Sequence, residues 1–527
     1  MYLRIVAISL LALINSLLLM NKVLAQDNTV TGNQTKIEKI EIKGNTVFSD
    51  LELKKLIDSA IGKDIAVDRL FNIKTDISQF YLSQGYITSG VFFPPQEIQN
   101  GKIIIVIVEG SLAGIEIEGL NSLNEKYIES RLPDLNKPLN INDLTQDLNF
   151  LEEDLLIKEI EAELKPIAVG KSLLSLKIVE NKPFQLKLNL SNSFSPTIGS
   201  FGRQAAIKHQ NFLGFGDRLS LSYTNTQGLD RYEVDYSIPF NSKGGIINVN
   251  YLNSNSKLVE EAISAFDIQA NFETYKVFIA LPIIKSQMDE LIFDIGIEKL
   301  ESETFVAKNI SFPFVDGLDD GKSQITSLRL KQNYTRRGNS SLFTVDSQFN
   351  IGLDIFDATK SEAGIDGLFW SWGGNIQWIQ TVNRQRDSLL KFSIATQLTP
   401  DKLLPLEQLA IGGHGSIRGY RQNLVVGDNG VFGVIEGQFP VIKSNQWGNV
   451  YLVPFVDFGT IWNNYAVDRD TPFDTIASLG LEFNYRLGDF LDTKVFYAIP
   501  LVENDSFESS SIEEKWGFSV SFIPFTF

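Results

Sequence analysis

The chain has 527 residues, 43% of them hydrophobic, and a mean hydropathy of -0.02, which excludes both a disordered chain and a helical membrane bundle. Its 64 acidic residues outnumber the 47 basic ones and give a net charge of -17, which argues against a sequence-independent hold on nucleic acid. The sequence has no cysteine and only two distant histidines, His209 and His414, so we expect no thiol site, no metal and no cofactor.

The first residues are typical of an export signal. A basic residue precedes an apolar run at 5–20, and small residues precede a cleavage point after Ala25. We therefore predict a signal peptide at 1–25, followed by a short segment at 26–35. A single N-terminal anchor is the alternative, which Asn15 within so short a run disfavours. No later apolar run is long enough to cross a bilayer as a helix, so any membrane crossing would be made by strands.

A short sequence pattern occurs twice in the N-terminal third of the chain. Ile-Glu-Ile-Lys-Gly at 40–44 recurs as Ile-Glu-Ile-Glu-Gly at 115–119, and Ile-Val-Glu at 107–109 recurs at 178–180. Because the first pattern opens a unit and the second closes it, we expect two copies of one module. We place the two modules at residues 36–110 and 111–181.

Each module is predicted to fold in the order strand, helix, helix, strand, strand. In the first, Ser49 and Glu52 form a capping box for a helix that runs to Gly62, and Gly85 ends a second helix. The other predicted segments are 68–84, 86–93 and 102–109 in the first module, and 124–132, 141–154, 157–166 and 173–180 in the second. A sheet with helices on one face leaves an edge strand free, and such edges pair with extended chains. The alternative is that the modules are only spacers.

From Phe184 onward the sequence alternates between apolar and polar residues. Leu186, Leu188 and Leu190 alternate with polar neighbours, and similar segments recur to the C-terminus. We count about sixteen of them, an even number typical of bacterial outer-membrane barrels. We therefore predict a transmembrane β-barrel of antiparallel strands at 182–527, preceded by two α+β modules. A soluble β-sandwich is the alternative, which the aromatic residues near segment ends and the alternation of short and long turns disfavour.

The last predicted strand has two features of its own. The chain ends on Phe527, a terminal aromatic residue of the kind that the barrel assembly machinery recognises. Pro524 cannot donate a hydrogen bond to a neighbouring strand, so we expect it at a bulge or at an edge.

A glycine-rich stretch at 409–430 lies between two of the predicted strands. Arg418 and Tyr420 stand near its centre, and Asp457 is a lone acid in an apolar segment, on the next strand but one. Because a charge removed from water is costly unless it is paired, we predict that Arg418 bonds to Asp457, worth about 1–4 kcal/mol. Two alternatives stay open here: an exposed Arg418 without a partner, and an Asp457 that only lines a polar pore. We expect Tyr420 and His414 to fill space.

No catalytic pattern is present in the sequence. His414 and Ser416 are neighbours, but their spacing is not that of a nucleophile elbow. A phosphate loop, an HExxH pair and a dinucleotide fingerprint are all absent. We therefore expect neither an enzyme nor ATP-driven transport.

Both halves of the chain resemble one family. The modules are similar to POTRA domains, the first to the version found in two-partner secretion transporters, through Phe80, Tyr81, 85–89, 94–96, Gly101 and 108–110. The barrel resembles the ShlB/FhaC/HecB haemolysin secretion/activation transporters (TpsB type), within the BamA-like superfamily. The matching barrel segments are 211–217, 236–240, Gln397, Leu403, 407–408, 412–413, 417–420, 427–430 and Glu436.

The resemblance implies roles for particular residues. A long sixth extracellular loop, here about 399–430, folds back into the lumen in this superfamily. Its tip corresponds to Ile417, Arg418, Gly419 and Tyr420. The wall motif that tethers the tip corresponds to Phe455, Asp457 and Gly459. The expected client contacts in the first module are Tyr86, Thr88, Pro94, Pro95 and Gln96.

The same resemblance implies a function. It indicates an outer-membrane translocator whose periplasmic POTRA domains bind an unfolded exoprotein and pass it through the barrel, driven by folding of the client outside. The expected client is a large β-helical adhesin or haemolysin, with its activation left open; outer-membrane lipids and the barrel assembly machinery are further partners. A BamA-type assembly factor is the alternative, which two modules rather than five disfavour, and a passive porin leaves the modules unexplained. Only residues 26–35 precede the first module, so gating is expected to rest on the loop without a plug helix.

Overall fold

The computed structural model describes residues 35–526 apart from short segments at 59–60, 63, 66, 98–99, 308–309, 314–320, 361–364, 384, 386, 465–473 and 503–514. The predicted signal peptide, most of the segment at 26–35, and Phe527 lie outside the described residues. The chain divides into two compact units, Met1–Asn181 and Lys182–Phe527. Within the described part, the helices are all too short or too polar to span a membrane.

The first module is a small mixed sheet with two helices packed against it. Its elements are β1 Thr35–Lys36, β2 Lys39–Lys43, α1 Asp50–Ile57, β3 Asp64–Ile65, α2 Val67–Ser83, β4 Gly90–Phe92 and β5 Lys102–Val108. The sheet order is β2-β5-β4, with β2 parallel and β4 antiparallel to β5, and β1 pairs with β3. Leu53, Ile77 and Ile105 are fully buried between the helices and the sheet. Burying such side chains is the main stabilising contribution.

Sequence reasoning predicted the start of the first helix correctly and two element bounds wrongly. The capping box of Ser49 and Glu52 is present, but α1 ends at Ile57 rather than at Gly62. The strand predicted at 86–93 is only Gly90–Phe92. The preceding residues form turns, because the Tyr86 N–H donates to the carbonyl of Tyr81 at 2.9 Å and ties the chain to the end of α2.

The second module repeats the order of the first. Its elements are β6 Ser111–Glu118, α3 Glu125–Glu129, α4 Ile141–Glu152, β7 Ile157–Ala168 and β8 Lys171–Glu180. The sheet order is β6-β8-β7, again with one parallel and one antiparallel pair. The modules contact each other where the Leu139 N–H donates to the Gly110 carbonyl at 2.7 Å and the Ile141 N–H to the Gly85 carbonyl at 2.9 Å.

The second unit is a closed barrel of sixteen antiparallel strands, as the sequence predicts. A short strand, Ile310–Ser311, adds one pairing to the strand Asp289–Val306, and a hairpin of two short strands, Leu409–Ile411 and Val425–Gly427, lies between the strands Ser388–Leu398 and Asn429–Ser444. The strands are β9 Phe184–Ser191, β10 Gly202–His209, β11 Arg218–Asn225, β12 Leu229–Pro239, β13 Ile246–Lys257, β14 Gln269–Lys285, β15 Asp289–Val306, β16 Ile310–Ser311, β17 Lys322–Arg337, β18 Ser341–Leu353, β19 Trp370–Asn383, β20 Ser388–Leu398, β21 Leu409–Ile411, β22 Val425–Gly427, β23 Asn429–Ser444, β24 Gly448–Trp462, β25 Asp474–Leu487, β26 Leu491–Pro500 and β27 Trp516–Thr526.

The barrel closes where β27 pairs with β9. The register of this pair shifts between Phe522 and Phe525, on either side of Pro524. Pro524 therefore lies at an irregularity of the ladder, which confirms the prediction from its missing N–H.

Side chains alternate across the barrel wall in the predicted sense. Leu188 and Leu190 on β9 are 38% and 41% exposed on the outside. Asn189 between them faces the interior, where its amide donates to Gln204 at 2.6 Å and its oxygen accepts from Ser521 at 2.7 Å. An apolar outer face suits lipid and a polar inner face suits a hydrated lumen.

Candidate functional site in the barrel lumen

Residues 399–428 connect β20 to β23 and fold back as a hairpin. β21 pairs with β22, and the Gly413 N–H donates to the Ile417 carbonyl at 2.9 Å to close the tip. Gly419 has a φ of +89°, and a Cβ there would lie 2.9 Å from the Cβ of Ala498 on β26. Glycine is therefore required at this point both for the backbone conformation and for the approach to the wall.

Arg418, at the tip of this loop, is bound to Asp457 on β24. Its Nε donates to Oδ2 at 2.8 Å, its Nη2 donates to Oδ1 at 2.8 Å, and its backbone N–H donates to Oδ2 at 3.0 Å. Arg418 is 6% exposed and Asp457 is fully buried. Two parallel bonds from the guanidinium and one from the backbone fix both the charge and the path of the chain. The structure thus brings together the two residues that the sequence paired, and Arg418 is neither exposed nor unpartnered.

Two more carboxylates face the same guanidinium. Nη1 of Arg418 lies 2.9 Å from Glu436 on β23 and 3.6 Å from Glu482 on β25. The guanidinium also stacks on Phe455, with its Cζ 3.4 Å from the ring centroid. Lys391 adds a second positive charge, 3.3 Å from Glu436. Sequence reasoning used Glu436 only for its likeness to the family and missed Glu482, because the two strands meet at Arg418 only in the closed barrel.

Apolar packing supports the ion pair at the tip. Ile417 is fully buried in a cluster with Ile411 of the hairpin and with Ile461 and Ile476 of the wall. A Cβ at Gly459 would lie 2.7 Å from Cδ1 of Ile417. Gly459 therefore leaves the space that Ile417 occupies, which explains why a residue without a side chain stands at this position of the wall.

Tyr420 and His414 have different surroundings. The Tyr420 hydroxyl donates to the Ala477 carbonyl at 2.7 Å and accepts from the Val502 N–H at 3.2 Å, so Tyr420 bonds the tip to the wall as well as filling space. The His414 ring packs edge-on against Phe496, with centroids 4.8 Å apart. His414 is therefore placed as a packing residue.

A large cavity of about 1590 Å³ adjoins the tip within the barrel. His414, Gly415, Ser416 and Arg418 of the loop form part of its wall. Charges of both signs line it: Lys187, Arg203, Lys494, Glu436, Glu482 and Asp492. Such a lining suits an unfolded polypeptide, which carries both signs and exposed backbone, better than a ligand of one charge.

The five predicted client contacts of the first module lie beside β4 and β5. Gln96 is bonded within the module at both ends of its amide: Nε2 donates to the Ile104 carbonyl at 2.7 Å, and Oε1 accepts from the Ile104 N–H at 2.7 Å. Because β4 is so short, this amide continues the ladder of β5 and covers backbone that would otherwise be open. Gln96 thus has a structural role, and its contact with a client stays a prediction.

The other four predicted contacts differ in exposure. Tyr86 packs against Phe48, with ring centroids 5.6 Å apart, and is half-buried. Thr88 and Pro94 are also half-buried, whereas Pro95 is exposed. Pro95 is accordingly the most accessible of the set, and the role of all five stays a prediction.

A glutamate closes each module, and sequence reasoning missed its role. Glu109 accepts hydrogen bonds from the N–H groups of Thr46 and Val47 at 2.8 and 2.9 Å and from the Tyr81 hydroxyl at 2.8 Å. Burial by itself raises the pKa of Glu109, but these bonds outweigh it and hold the pKa below its ordinary value.

Glu180 repeats this arrangement in the second module. It accepts from the N–H groups of Asn121, Ser122 and Leu123. Burial again opposes these bonds, which nevertheless keep the pKa of Glu180 below its ordinary value. The signal was present in the repeated Ile-Val-Glu, which sequence reasoning used as a module edge and, at 108–110, for the POTRA resemblance.

Two family models match the sequence. The model described as haemolysin secretion/activation protein ShlB/FhaC/HecB matches residues 170–485, and the model described as POTRA domain, ShlB-type, matches residues 35–110. A curated relative, the outer membrane transporter CdiB of Escherichia coli O6:K15:H31 (strain 536 / UPEC), is 22% identical over 514 residues, which cover 92% of this chain and 82% of the relative.

Solved structures share the fold. CdiB from Escherichia coli matches with a TM-score of 0.71 and 18% identity, covering 97% of each chain. BamA from Haemophilus ducreyi, lacking its POTRA domains 1-3, matches with a TM-score of 0.58 and 16% identity, covering 93% of this chain and 100% of that one. At these identities the two structures indicate the fold alone.

Proposed function

This chain belongs to the ShlB/FhaC/HecB family of haemolysin secretion/activation proteins, and from that premise we propose that loop 399–428 gates the export of an unfolded exoprotein through its barrel. The chain is an outer-membrane transporter of two-partner secretion, with its POTRA modules in the periplasm. The barrel fold alone leaves barrel assembly open, since BamA shares it. The family match favours secretion.

The contact between Arg418 and Asp457 is the observation that carries the gate. A guanidinium held by buried carboxylates stays favourable only while the hairpin remains in place, because an unpaired buried charge is costly. An unfolded client in the adjoining cavity brings its own cations and N–H groups. These can bind Asp457, Glu436 and Glu482 in place of Arg418, so the tip can leave without stranding the carboxylates.

The proposed client is a large exoprotein of the adhesin or haemolysin type, which folds as a β-helix after it emerges. The mixed charges of the cavity support an extended chain as the transported form. Folding outside makes outward movement irreversible, and no enzymatic step is part of the proposal. Outer-membrane lipids would contact the apolar outer face, and the barrel assembly machinery would act during biogenesis.

The gate is tested with a large exoprotein of the adhesin or haemolysin type as the client, co-expressed with the full chain, and its export is measured by immunoblot of the medium. We expect Arg418→Ala to reduce export at least about tenfold, because it strands a buried Asp457. Arg421→Ala is the matched control: this arginine lies on the same loop and pairs with Glu260, with both side chains about one-third exposed. The control should export within about twofold of the parent chain.

Two outcomes would contradict the proposal. The proposed gate is contradicted if Arg418→Ala exports normally while its barrel is still folded, as judged by faster migration in unheated gels. A fall in other outer-membrane barrels after depletion of this chain, with export unaffected, would favour the assembly factor.

Deleting residues 36–110 should abolish capture of the exoprotein in a pull-down, and full capture would show that the first module is not the receptor.

A further inference from the structure

We infer that a second buried ion pair, between Glu407 in the stem of loop 399–428 and Arg329 on β17, anchors the loop separately from its tip. The inference rests on the proposed gate and extends it. It divides the loop into a stem that stays fixed and a tip that moves. Neither Arg329 nor its partner Glu298 belongs to the motifs that the sequence singled out, and Glu407 was used there only for its likeness to the family.

The stem pair has the geometry of a bidentate clamp. Nη1 of Arg329 donates to Oε2 of Glu407 at 3.0 Å, and Nη2 donates to Oε1 at 2.5 Å. Nε of the same arginine donates to Glu298 on β15 at 2.9 Å. Lys276 on β14 lies 2.8 Å from Glu298. All five N–H donors of a guanidinium lie in one plane, so a single arginine can bind two carboxylates in this way.

Burial makes this pair matter. Arg329 is 4% exposed, and the side chain of Glu407 is 7% exposed. The stem network has two cations, Arg329 and Lys276, and two carboxylates, Glu298 and Glu407, so its formal charges cancel. The tip network has two cations, Arg418 and Lys391, and three carboxylates, so its formal charge is negative. Removing one member of a buried pair is strongly unfavourable, since the other is left without a partner.

The two ion-pair networks lie on different strands of the wall. The stem network lies on β14, β15 and β17, and the tip network on β20, β23, β24 and β25. Among the described residues, their buried apolar clusters are also separate: Leu403 and Leu404 of the stem pack with Leu300, Ile325 and Phe369, which are not members of the cluster of Ile417. One attachment can therefore break while the other persists.

A third carboxylate fixes the base of the stem. Asp428, 2% exposed, accepts from the Leu403 N–H and from the Gln408 amide, each at 3.0 Å, and from the Asn464 N–H at 3.0 Å. These bonds join the outgoing and returning halves of the loop beside Glu407. The two halves of the stem are thus bonded to each other, so the tip can move while the stem keeps its position.

The test measures each attachment with its own thiol reporter, because the sequence has no cysteine. Ser327→Cys places a thiol two residues before Arg329 on β17, at a fully buried site. Ser478→Cys places one on β25, paired in register with Asp457 and also fully buried. The labelling rate with a maleimide is measured on the purified full chain in detergent, with each reporter alone.

We expect Arg329→Met to raise labelling at the 327 reporter at least about tenfold and to leave the 478 reporter within about twofold. Arg418→Met should do the reverse. Arg337→Met is the matched control, because this arginine is on the same strand but its pair with Glu290 is half exposed; it should change neither rate. Glu407→Gln is a second variant that retains the shape of the stem, should Arg329→Met fold poorly.

A second readout separates anchoring from a merely structural role. In planar bilayers, the conductance increase of Arg329→Met/Arg418→Met together should exceed the sum of the single increases, because breaking one attachment displaces only part of the loop, whereas breaking both lets the whole loop leave the lumen. Equal labelling of both reporters by either variant, no change at the 327 reporter, or additive conductances would overturn the inference. Neither readout needs an exoprotein. A negative result in the export assay would therefore contradict the proposed gate without contradicting the two separate attachments of the loop.

Discussion

Hydrogen-bonded carboxylates fix a loop in both units of the chain, but their partners differ. In the first module Glu109 accepts from backbone N–H groups and from the Tyr81 hydroxyl. In the barrel Asp457 is paired with the guanidinium of Arg418. Backbone donors next to the strand cannot be exchanged for others, so the bonds of Glu109 are a permanent part of the fold. An arginine on a long loop can be displaced by another cation, so the same chemistry can serve as a latch.

Removing Asp457 should have the largest effect. Asp457→Ala leaves Arg418 buried without its bidentate partner, which we expect to weaken the anchoring of the loop by about 3–5 kcal/mol. Conductance in planar bilayers should rise accordingly. Asp354→Ala is the control, because Asp354 pairs with Lys360 at 2.8 Å with both side chains more than half exposed, and it should have no effect. An unchanged conductance in Asp457→Ala would show that the ion pair with Arg418 does not hold the loop in the lumen, and Asp457 would then differ in no functional way from Glu109.

Removing Glu109 should have a smaller effect, confined to the first module. Glu109→Ala leaves the N–H groups of Thr46 and Val47 without their acceptor, at a cost of about 1–3 kcal/mol. Hydrogen exchange of these amides, measured on the full chain in detergent, should become faster, while barrel conductance stays as in the parent. Glu118→Ala, at an exposed strand position, provides the control. Protection unchanged at 46–47 would show that the carboxylate does not hold this turn.

The same site gives a pH dependence whose sign follows from the lowered pKa. Because the pKa of Glu109 is lower in the folded module than in an unfolded chain, about 4.3, its stabilisation is complete above that value. It is lost as the pH falls toward the folded pKa. The protection of the amides at 46–47, expressed relative to their intrinsic exchange rate at each pH, should therefore decrease on acidification below about pH 4 in the parent chain but much less in Glu109→Ala.

Asp147 on α4 should show the smallest effect and the opposite sign. Burial, with a lesser contribution from Asp143, raises the pKa of Asp147 from 3.8 to about 6. The charged form is thus disfavoured in the folded module, with a penalty that begins above pH 3.8 and is complete above about 6. Asp147→Asn should stabilise the second module by about 1 kcal/mol at pH 8, a figure reduced for solvent screening, and by nothing near pH 4. Protease resistance of the full chain at the two pH values is the measurement, and equal gains at both would contradict it.

Local rules predicted much of the fold from the sequence. The alternation from Phe184 gave the barrel and its sixteen strands, and the missing N–H of Pro524 gave the irregularity in β27. The strand at 86–93 was predicted wrongly for a tertiary reason. Its residues favour β-structure, but the Tyr86 ring packs on Phe48 and its N–H bonds back to Tyr81. Packing therefore overrode a local preference.

The site was predicted only in part. Arg418 and Asp457 could be paired because both stand out in apolar or glycine-rich surroundings, and a family resemblance supported the pairing. Glu482 and Arg329 could not, because a charged residue on the polar face of a barrel strand is indistinguishable in sequence from any other lumen residue.

The sequence by itself determined the period of the strands, the two modules' order of elements, and the glycines and charges of the loop, since each depends on residues close together in the chain. Only the tertiary structure decided which charges meet. Arg418, Glu436, Asp457 and Glu482 come from one loop and three strands, and Glu298, Arg329 and Glu407 from two strands and the same loop. Closure of the barrel and the register of its ladders bring them together, because those alone fix which inward-facing side chains share one level of the lumen.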